Sequence, residues 1–166
     1  MYSFFKYVIF LGSGNFGEVF EGTIQVVPES QNIKVAIKAL RNGDYSDEEE
    51  NSTNSIELFK EAVTVSKLKH ENIIQFLGVC EELNYLIFEL MNGPQLQKYL
   101  RSIKKTYTMF DLVDMSYDIV KGCAYLEQMK CVHRDLAARN CMLTSADKKY
   151  RKVISIIYLV NFFLNK

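Results

Sequence analysis

Val132-His133-Arg134-Asp135-Leu136-Ala137-Ala138-Arg139-Asn140-Cys141 is the stretch on which the fold of this chain turns. It sets a carboxylate, Asp135, and a carboxamide, Asn140, in one polar loop with four residues between them. A loop of that length can turn both groups toward one phosphate. The carboxylate would accept a hydroxyl proton, and the amide oxygen would ligate Mg²⁺. The ordinary alternative is a solvated loop closed by an Arg–Asp pair. That alternative does not require the string to follow, in fixed order, a glycine-rich turn, a strand lysine and a helix glutamate.

Working outward, residues 111–129 read as a long helix. Leu112, Met115, Ile119, Cys123 and Leu126 recur at three- and four-residue steps, and Asp111 stands as its expected cap. Residues 96–102 predict a shorter helix, and Asn92-Gly93-Pro94 breaks the pattern before it. Upstream, residues 73–80 and 85–90 are apolar runs around a charged turn at Glu81-Glu82, which predicts a hairpin. Residues 56–68 predict a helix with Phe59, Val63 and Ser66 on one side. Residues 44–55 are a polar, acidic loop by composition. Residues 34–40, with Val35-Ala36-Ile37-Lys38 at the centre, form a strand. Residues 7–11 and 18–25 form two more, the second alternating Val19, Glu21 and Thr23 against Phe20, Gly22 and Ile24. Strands, one helix, more strands and then helices give an α+β chain, with a sheet-based lobe followed by a helical one and a break near Asn92.

Between the first two strands, Gly12-Ser13-Gly14-Asn15-Phe16-Gly17 fits G-x-G-x-x-G. Glycines let backbone N–H groups approach a phosphate closely. Alone the motif is weak, because glycine-rich hairpins without ligands are common. A dinucleotide fold would need a helix directly after the glycines. A strand follows instead, and there is no G-x-x-x-x-G-K-[ST]. A glycine loop inside a hairpin serves as a lid over a triphosphate. Lys38 ends an apolar strand, where a lone lysine more often snorkels to solvent. Glu61 on the next predicted helix changes that balance, because it can hold Lys38 extended as an ion pair.

These features together resemble the protein kinase family, in its tyrosine kinase branch. Leu11 to Val19 (LGSGNFGEV) resembles the phosphate lid, VAIK the third-strand lysine motif, and KLKHENIIQFLGVC the approach to the fourth strand. HRDLAARN is similar to the tyrosine-kinase catalytic loop, with Ala137 where serine/threonine kinases place a lysine and Arg139 supplying the charge. The resemblance implies a protein-kinase-like fold, with a complete small lobe (antiparallel sheet plus one regulatory helix) and part of a helical large lobe. It implies ATP and Mg²⁺ as cofactors and a protein tyrosine as substrate. It further implies Asp135 as proton acceptor, Arg139 as a charge stabiliser and Asn140 as metal ligand. Lys38, held by Glu61, would grip the α- and β-phosphates. Leu11, Gly12, Ser13, Gly14, Asn15, Phe16 and Gly17 would cover the nucleotide. Val19, Ala36 and Met142 would sandwich adenine, Phe88 would stand as gatekeeper, and Glu89 to Met91 would be the hinge. The hinge stretch LIFELMNGPQLQKYLR resembles receptor-type kinases near the insulin-receptor group, with Pro94 in place of the usual glycine. Residues 1–91 correspond to small lobe and hinge, 92–152 to the start of the large lobe, and 153–166 to an apolar tail outside the resemblance.

The expected D-F-G is missing, and no Asp or Glu follows Asp147. The tail VISIIYLVNFFLNK is read as translated non-coding sequence, such as a retained intron after Lys152, or as a gene-model error, with a genuine truncated isoform as the rival. Either way this chain is expected to transfer little phosphate, and a nucleotide-binding module without catalysis is the second reading. Composition supports the same class. Twenty Lys+Arg balance 20 Asp+Glu in 166 residues, which argues against a nucleic-acid binder. Cys80, Cys123, Cys131 and Cys141 form no C-x-x-C pair, so no zinc site is expected, and reduced thiols fit a cytoplasmic location. A parent protein could still be a membrane receptor with this part inside the cell. Residues 1–11 make a poor signal peptide. Residues 153–164 are shorter than the roughly 18 apolar residues a spanning helix needs, so no membrane insertion is expected.

Overall fold

The computed structural model describes residues 9–14, 17–25, 32–39, 60, 62–80, 83–102, 106–133 and 135–144. The acidic loop expected at residues 44–55 and the apolar tail lie outside them. The chain divides into two compact units, one drawn from Met1–Ser66 and Phe76–Leu90, the other from Lys67–Gln75 and Met91–Lys166.

The first unit is an antiparallel five-stranded sheet of β1 (Ile9–Gly14), β2 (Gly17–Gln25), β3 (Asn32–Ala39), β4 (Phe76–Cys80) and β5 (Tyr85–Glu89). Its strand order is β1-β2-β3-β5-β4. The glycine motif is a hairpin, as expected, but its glycines belong to the strands. Ser13 pairs with Glu18 and Gly14 with Gly17, so the ladder includes these two glycines. Leu11 is the extra residue of a bulge, since Phe10 faces Phe20 while Gly12 already faces Val19. In β3, Val35 to Lys38 are all buried, and the β-branched Val35 and Ile37 suit a central strand. One face of the sheet packs Ile24, Val35, Ile37 and Ile87 together, with Phe20 and Tyr85 against them. The β4–β5 connection places Asn84 at φ 52°, a left-handed conformation that asparagine tolerates.

Three local expectations change. The helix α1 (residues 62–66) ends at Ser66, two residues before the predicted limit. Thr64 Oγ1 donates to the Lys60 carbonyl and Ser66 Oγ to that of Val63, bonds that suit a helix end. Its buried side is Ala62 and Val65, with Leu68 just beyond, whereas Val63 is 52% exposed. The predicted face was anchored on Phe59, which lies outside the described residues, and small Ala62 was passed over. Finally, β4 begins at Phe76 instead of residue 73, because Ile73 is still in a turn, its N–H donating to the His70 carbonyl at 3.1 Å.

In that unit, α2 (Leu96–Leu100) precedes α3 (Met109–Gln128). Thr108, not Asp111, caps α3. Thr108 Oγ1 accepts the Asp111 N–H at 3.1 Å, and Asp111 Oδ2 accepts the Thr108 N–H at 2.9 Å, a reciprocal capping box. Met115, Gly122 and Leu126 are buried, but Leu112 is 40% exposed. The segment Lys67–Gln75 is fastened to α3. The His70 ring stacks on Tyr125 at 4.8 Å, and the Tyr125 hydroxyl accepts the Lys69 N–H at 2.8 Å. Lys121 pairs with Glu71 at 2.9 Å and with Asp118 at 3.1 Å. These bonds push the Lys121 ammonium up to about 12, and Lys121 in turn holds Glu71 below the usual carboxylate range. No helix among the described residues is long and apolar enough to cross a membrane.

Candidate active site

The end of α3 launches the loop of residues 132–141. Lys130 takes φ 54° just past the helix. The Cys131 N–H donates to the Leu126 carbonyl at 2.8 Å, and the Lys130 N–H to that of Glu127 at 2.9 Å. This is a Schellman closure with lysine where glycine is usual. The chain then turns sharply. The Asp135 N–H donates both to the His133 carbonyl, at 2.8 Å, and to His133 Nδ1, at 3.3 Å. His133 is buried, so its ring is a fixed support under the Asp135 backbone. The sequence reading did not single out His133. Its signal was its place in the string, and its role depends on a backbone curl that spacing alone does not reveal.

Past Ala137 the chain makes a single 3₁₀ turn, Ala138–Asn140. That turn brings three expected residues into one cluster. Arg139 Nη2 meets Asp135 Oδ1 at 2.5 Å, while Asn140 Nδ2 donates to Asp135 Oδ2 at 2.8 Å and to the Asp135 carbonyl at 2.7 Å. Both oxygens of the carboxylate are therefore engaged, and its plane is fixed. Asn140 is 5% exposed, which makes its bonds to Asp135 structurally important as well. Both amide hydrogens of Asn140 are directed at Asp135, so its carbonyl oxygen is the ligating atom that remains. A hard, oxygen-seeking Mg²⁺ fits that donor, because such an ion takes one or two protein oxygens and fills the rest of its shell with phosphate and water. Among the described residues no cluster of three His, Cys, Asp or Glu could hold a metal without such help.

The loop leaves through Cys141, Met142 and Leu143, which run antiparallel to residues 93–96. The Gly93 N–H donates to the Leu143 carbonyl at 3.0 Å, the Leu143 N–H to that of Pro94 at 3.1 Å, and the Leu96 N–H to that of Cys141 at 2.7 Å. Gln95 and Met142 stand directly opposite each other. Met91 is half-buried and belongs to this unit. The Cys141 thiol is buried and donates to the Ala137 carbonyl. Burial pushes it up to about 11, with a smaller push from Cys123.

Within the sheet unit, register decides which predicted residues share a face. Directly paired residues of an antiparallel ladder point to the same side. Gly12 pairs with Val19, Val19 with Lys38, and Lys38 with Leu86. Ala36 pairs with Phe88, whose ring meets Phe76 edge-on at 5.6 Å. Val19, Ala36, Lys38 and Phe88 thus lie on one face, opposite the Val35–Ile37–Ile87 cluster. Lys38 is buried, unlike a snorkelling strand lysine, whose ammonium stays in water. Leu11 and Ser13 are exposed on β1, and Glu89 ends β5. Asn15, Phe16 and Glu61 lie outside the described residues, so the expected Lys38–Glu61 pair does too.

Comparison with known proteins agrees with this architecture. A family model described as protein tyrosine and serine/threonine kinase matches residues 5–156. The proto-oncogene tyrosine-protein kinase ROS of Rattus norvegicus is 46% identical over 158 residues, covering 89% of this chain and 6% of the relative. Its Homo sapiens counterpart is 45% identical over 158 residues, with the same coverage. Protein sevenless of Drosophila melanogaster is 40% identical over 153 residues, covering 85% of this chain and 6% of that protein. The chain thus spans about 6% of the length of these curated relatives.

Proposed function

Because the chain belongs to the protein kinase family, in its tyrosine kinase branch, we propose that it carries part of a catalytic domain that transfers the γ-phosphate of ATP to a protein tyrosine. The observation that carries this reading is the Asp135 carboxylate, gripped at Oδ1 by Arg139 and at Oδ2 by Asn140. A carboxylate oxygen has two acceptor directions, so each keeps capacity for a further proton. As the tyrosine oxygen bonds to phosphorus and the bond from phosphorus to the ADP oxygen breaks, the phenolic proton passes to Asp135. Arg139, on the same carboxylate, supplies positive charge beside the transferring group. Protein kinases generally use ATP and Mg²⁺, and the metal, when bound, neutralises phosphate charge. Asn140 Oδ1 is the atom offered to it.

In the sheet unit, Lys38, paired with Glu61, would contact the α- and β-phosphates under the lid of residues 12–17. Val19 and Ala36 would contact adenine, with Phe88 behind it and the backbone of residues 89–91 bonding its edge; in the helical unit, the family resemblance assigns Met142 to adenine as well. Residues 1–91 would serve as small lobe and hinge, residues 92–152 as the start of the large lobe, and residues 153–166 as a tail with no part in the chemistry. A second reading, nucleotide binding without transfer, is favoured by one observation: where the family places D-F-G soon after the catalytic loop, this chain reads Val153-Ile154-Ser155-Ile156-Ile157.

Thermal stabilisation by ATP, with and without Mg²⁺, combined with phosphotransfer to a tyrosine copolymer, separates the two. Mg²⁺-dependent stabilisation with transfer that Asp135→Asn abolishes supports the catalytic reading. Mg²⁺-dependent stabilisation without transfer supports the second. No stabilisation under either condition overturns both.

A further inference from the structure

We propose that Gly93 is a positioning residue of the nucleotide site, its missing side chain fixing where Met142 sits. The inference rests on the reading of Met142 as a wall of that site. Asn92-Gly93-Pro94 looked in the sequence like a simple break in the chain. In the structure Gly93 is buried and opens the short ribbon that pairs residues 93–96 with residues 141–143. A Cβ placed on Gly93 would stand 2.3 Å from the Leu143 carbonyl oxygen, 2.7 Å from its carbon and 2.8 Å from the Leu143 Cβ. Carbons do not approach that closely, and no rotamer change moves a backbone carbonyl. Any side chain at position 93 must therefore push the 141–143 strand away.

That strand carries Met142, which faces Gln95 in the ribbon's central pair. It also continues directly from Asn140, whose amide holds Asp135. Displacing the ribbon moves the proposed adenine wall without touching a nucleotide atom at position 93. Gly12 makes the contrast plain, because a Cβ there meets nothing within 4 Å. Glycine at position 12 leaves room beside the chain, whereas at position 93 it sets a spacing inside it.

The experiment is a double-substitution cycle on the 166-residue chain. It is read by binding of N-methylanthraniloyl-ATP and by amide hydrogen exchange at Leu96 and Leu143. Gly93→Ala and Met142→Ala should each weaken binding by roughly tenfold. The double variant should be no weaker than the worse single one, because a displaced and an absent Met142 are the same loss. Gly93→Ala should also speed exchange at Leu96 and Leu143 while the amides of β3 stay protected. Additive losses, or unchanged exchange at both amides, overturn the proposal. Should Gly93→Ala fail to fold, the unsubstituted chain still decides: saturating nucleotide slows the two amides if the ribbon braces the site, and leaves them unchanged if it does not. An unsubstituted chain that binds no nucleotide, with Leu96 and Leu143 still freed by Gly93→Ala, overturns the nucleotide reading and reduces Gly93 to a purely structural glycine.

Discussion

Strand β3 and helix α3 are both rich in apolar side chains, yet they use them in opposite ways. In β3 both faces are covered, and Ile37 is 0% exposed. In α3 the buried side carries Met115, Gly122 and Leu126, while Met109, Val113, Tyr117 and Val120 repeat at four-, four- and three-residue steps on the other side. Among these, Val113 is 57% and Val120 60% exposed. The outward stripe is as regular as the inward one. Hydrophobic period therefore marks the faces of an element without telling which face is covered.

The sharpest way to break this comparison is to remove one buried branch from each element. Ile37→Ala should cost roughly 2–5 kcal/mol, from lost burial and the cavity left among Ile24, Val35 and Ile87. Val120→Ala should change stability by less than about 0.5 kcal/mol. Urea unfolding followed by hydrogen exchange measures both. Similar costs at the two positions would mean that the outward stripe of α3 is packed in solution.

The same contrast explains what could be read from the sequence. The sheet was legible because its signals are local: period-two alternation in β2, VAIK at the centre of β3, and glycines at a hairpin tip. The clustering of Asp135, Arg139 and Asn140 was legible because one 3₁₀ turn brings them together. The buried side of α1 was not, because Ala62 contributes little hydrophobicity yet packs fully. Nor was the N-cap of α3, since Asp111 looked like the cap until its reciprocal bonds with Thr108 placed it three positions past the cap, at N3. The ribbon joining Gly93 to Leu143 spans some fifty residues of chain, and no short-range pattern announces a pairing of that range.

Cys141 sharpens the comparison from inside the helical unit, since it is as buried there as the core of the sheet. Its folded thiol is raised from the ordinary 9.0 to about 11, so the fold favours the protonated form. Stability from this group is complete below about pH 9 and falls as pH rises toward 11, with no further loss above. Cys141→Ala should lower stability at neutral pH but remove that part of the alkaline slope. Parallel wild-type and variant curves between pH 9 and 11 would contradict the burial argument. Unmodified protein should also react slowly with a thiol reagent at Cys141 compared with half-buried Cys80.

A smaller effect is expected where α3 ends. Lys130 holds a left-handed conformation that costs a residue with a Cβ about 1 kcal/mol more than glycine. Lys130→Gly should therefore stabilise the chain by up to about 1 kcal/mol, less the extra freedom glycine gains when unfolded. Differential melts, checked by exchange at the Cys131 amide, test it. Destabilisation would show that the lysine side chain contributes more than the backbone strain it imposes.

The smallest change in stability is expected from charging the outward stripe. Val113→Lys with Val120→Lys should alter stability by less than about 0.5 kcal/mol, because neither valine is covered and lysine is at least as good a helix former. The two ammonium groups would stand seven residues apart, beyond the three- and four-residue spacing at which like charges repel along a helix. What should change is self-association. Light scattering against concentration should fall, because an apolar stripe that joins molecules in water is interrupted at two points. Ile37→Lys, by contrast, should unfold the sheet unit outright, since an ammonium there would be buried against Ile24, Val35 and Ile87. Should the α3 double variant unfold as readily, the stripe must be covered in solution, and the contrast between β3 and α3 would be one of partners instead of faces.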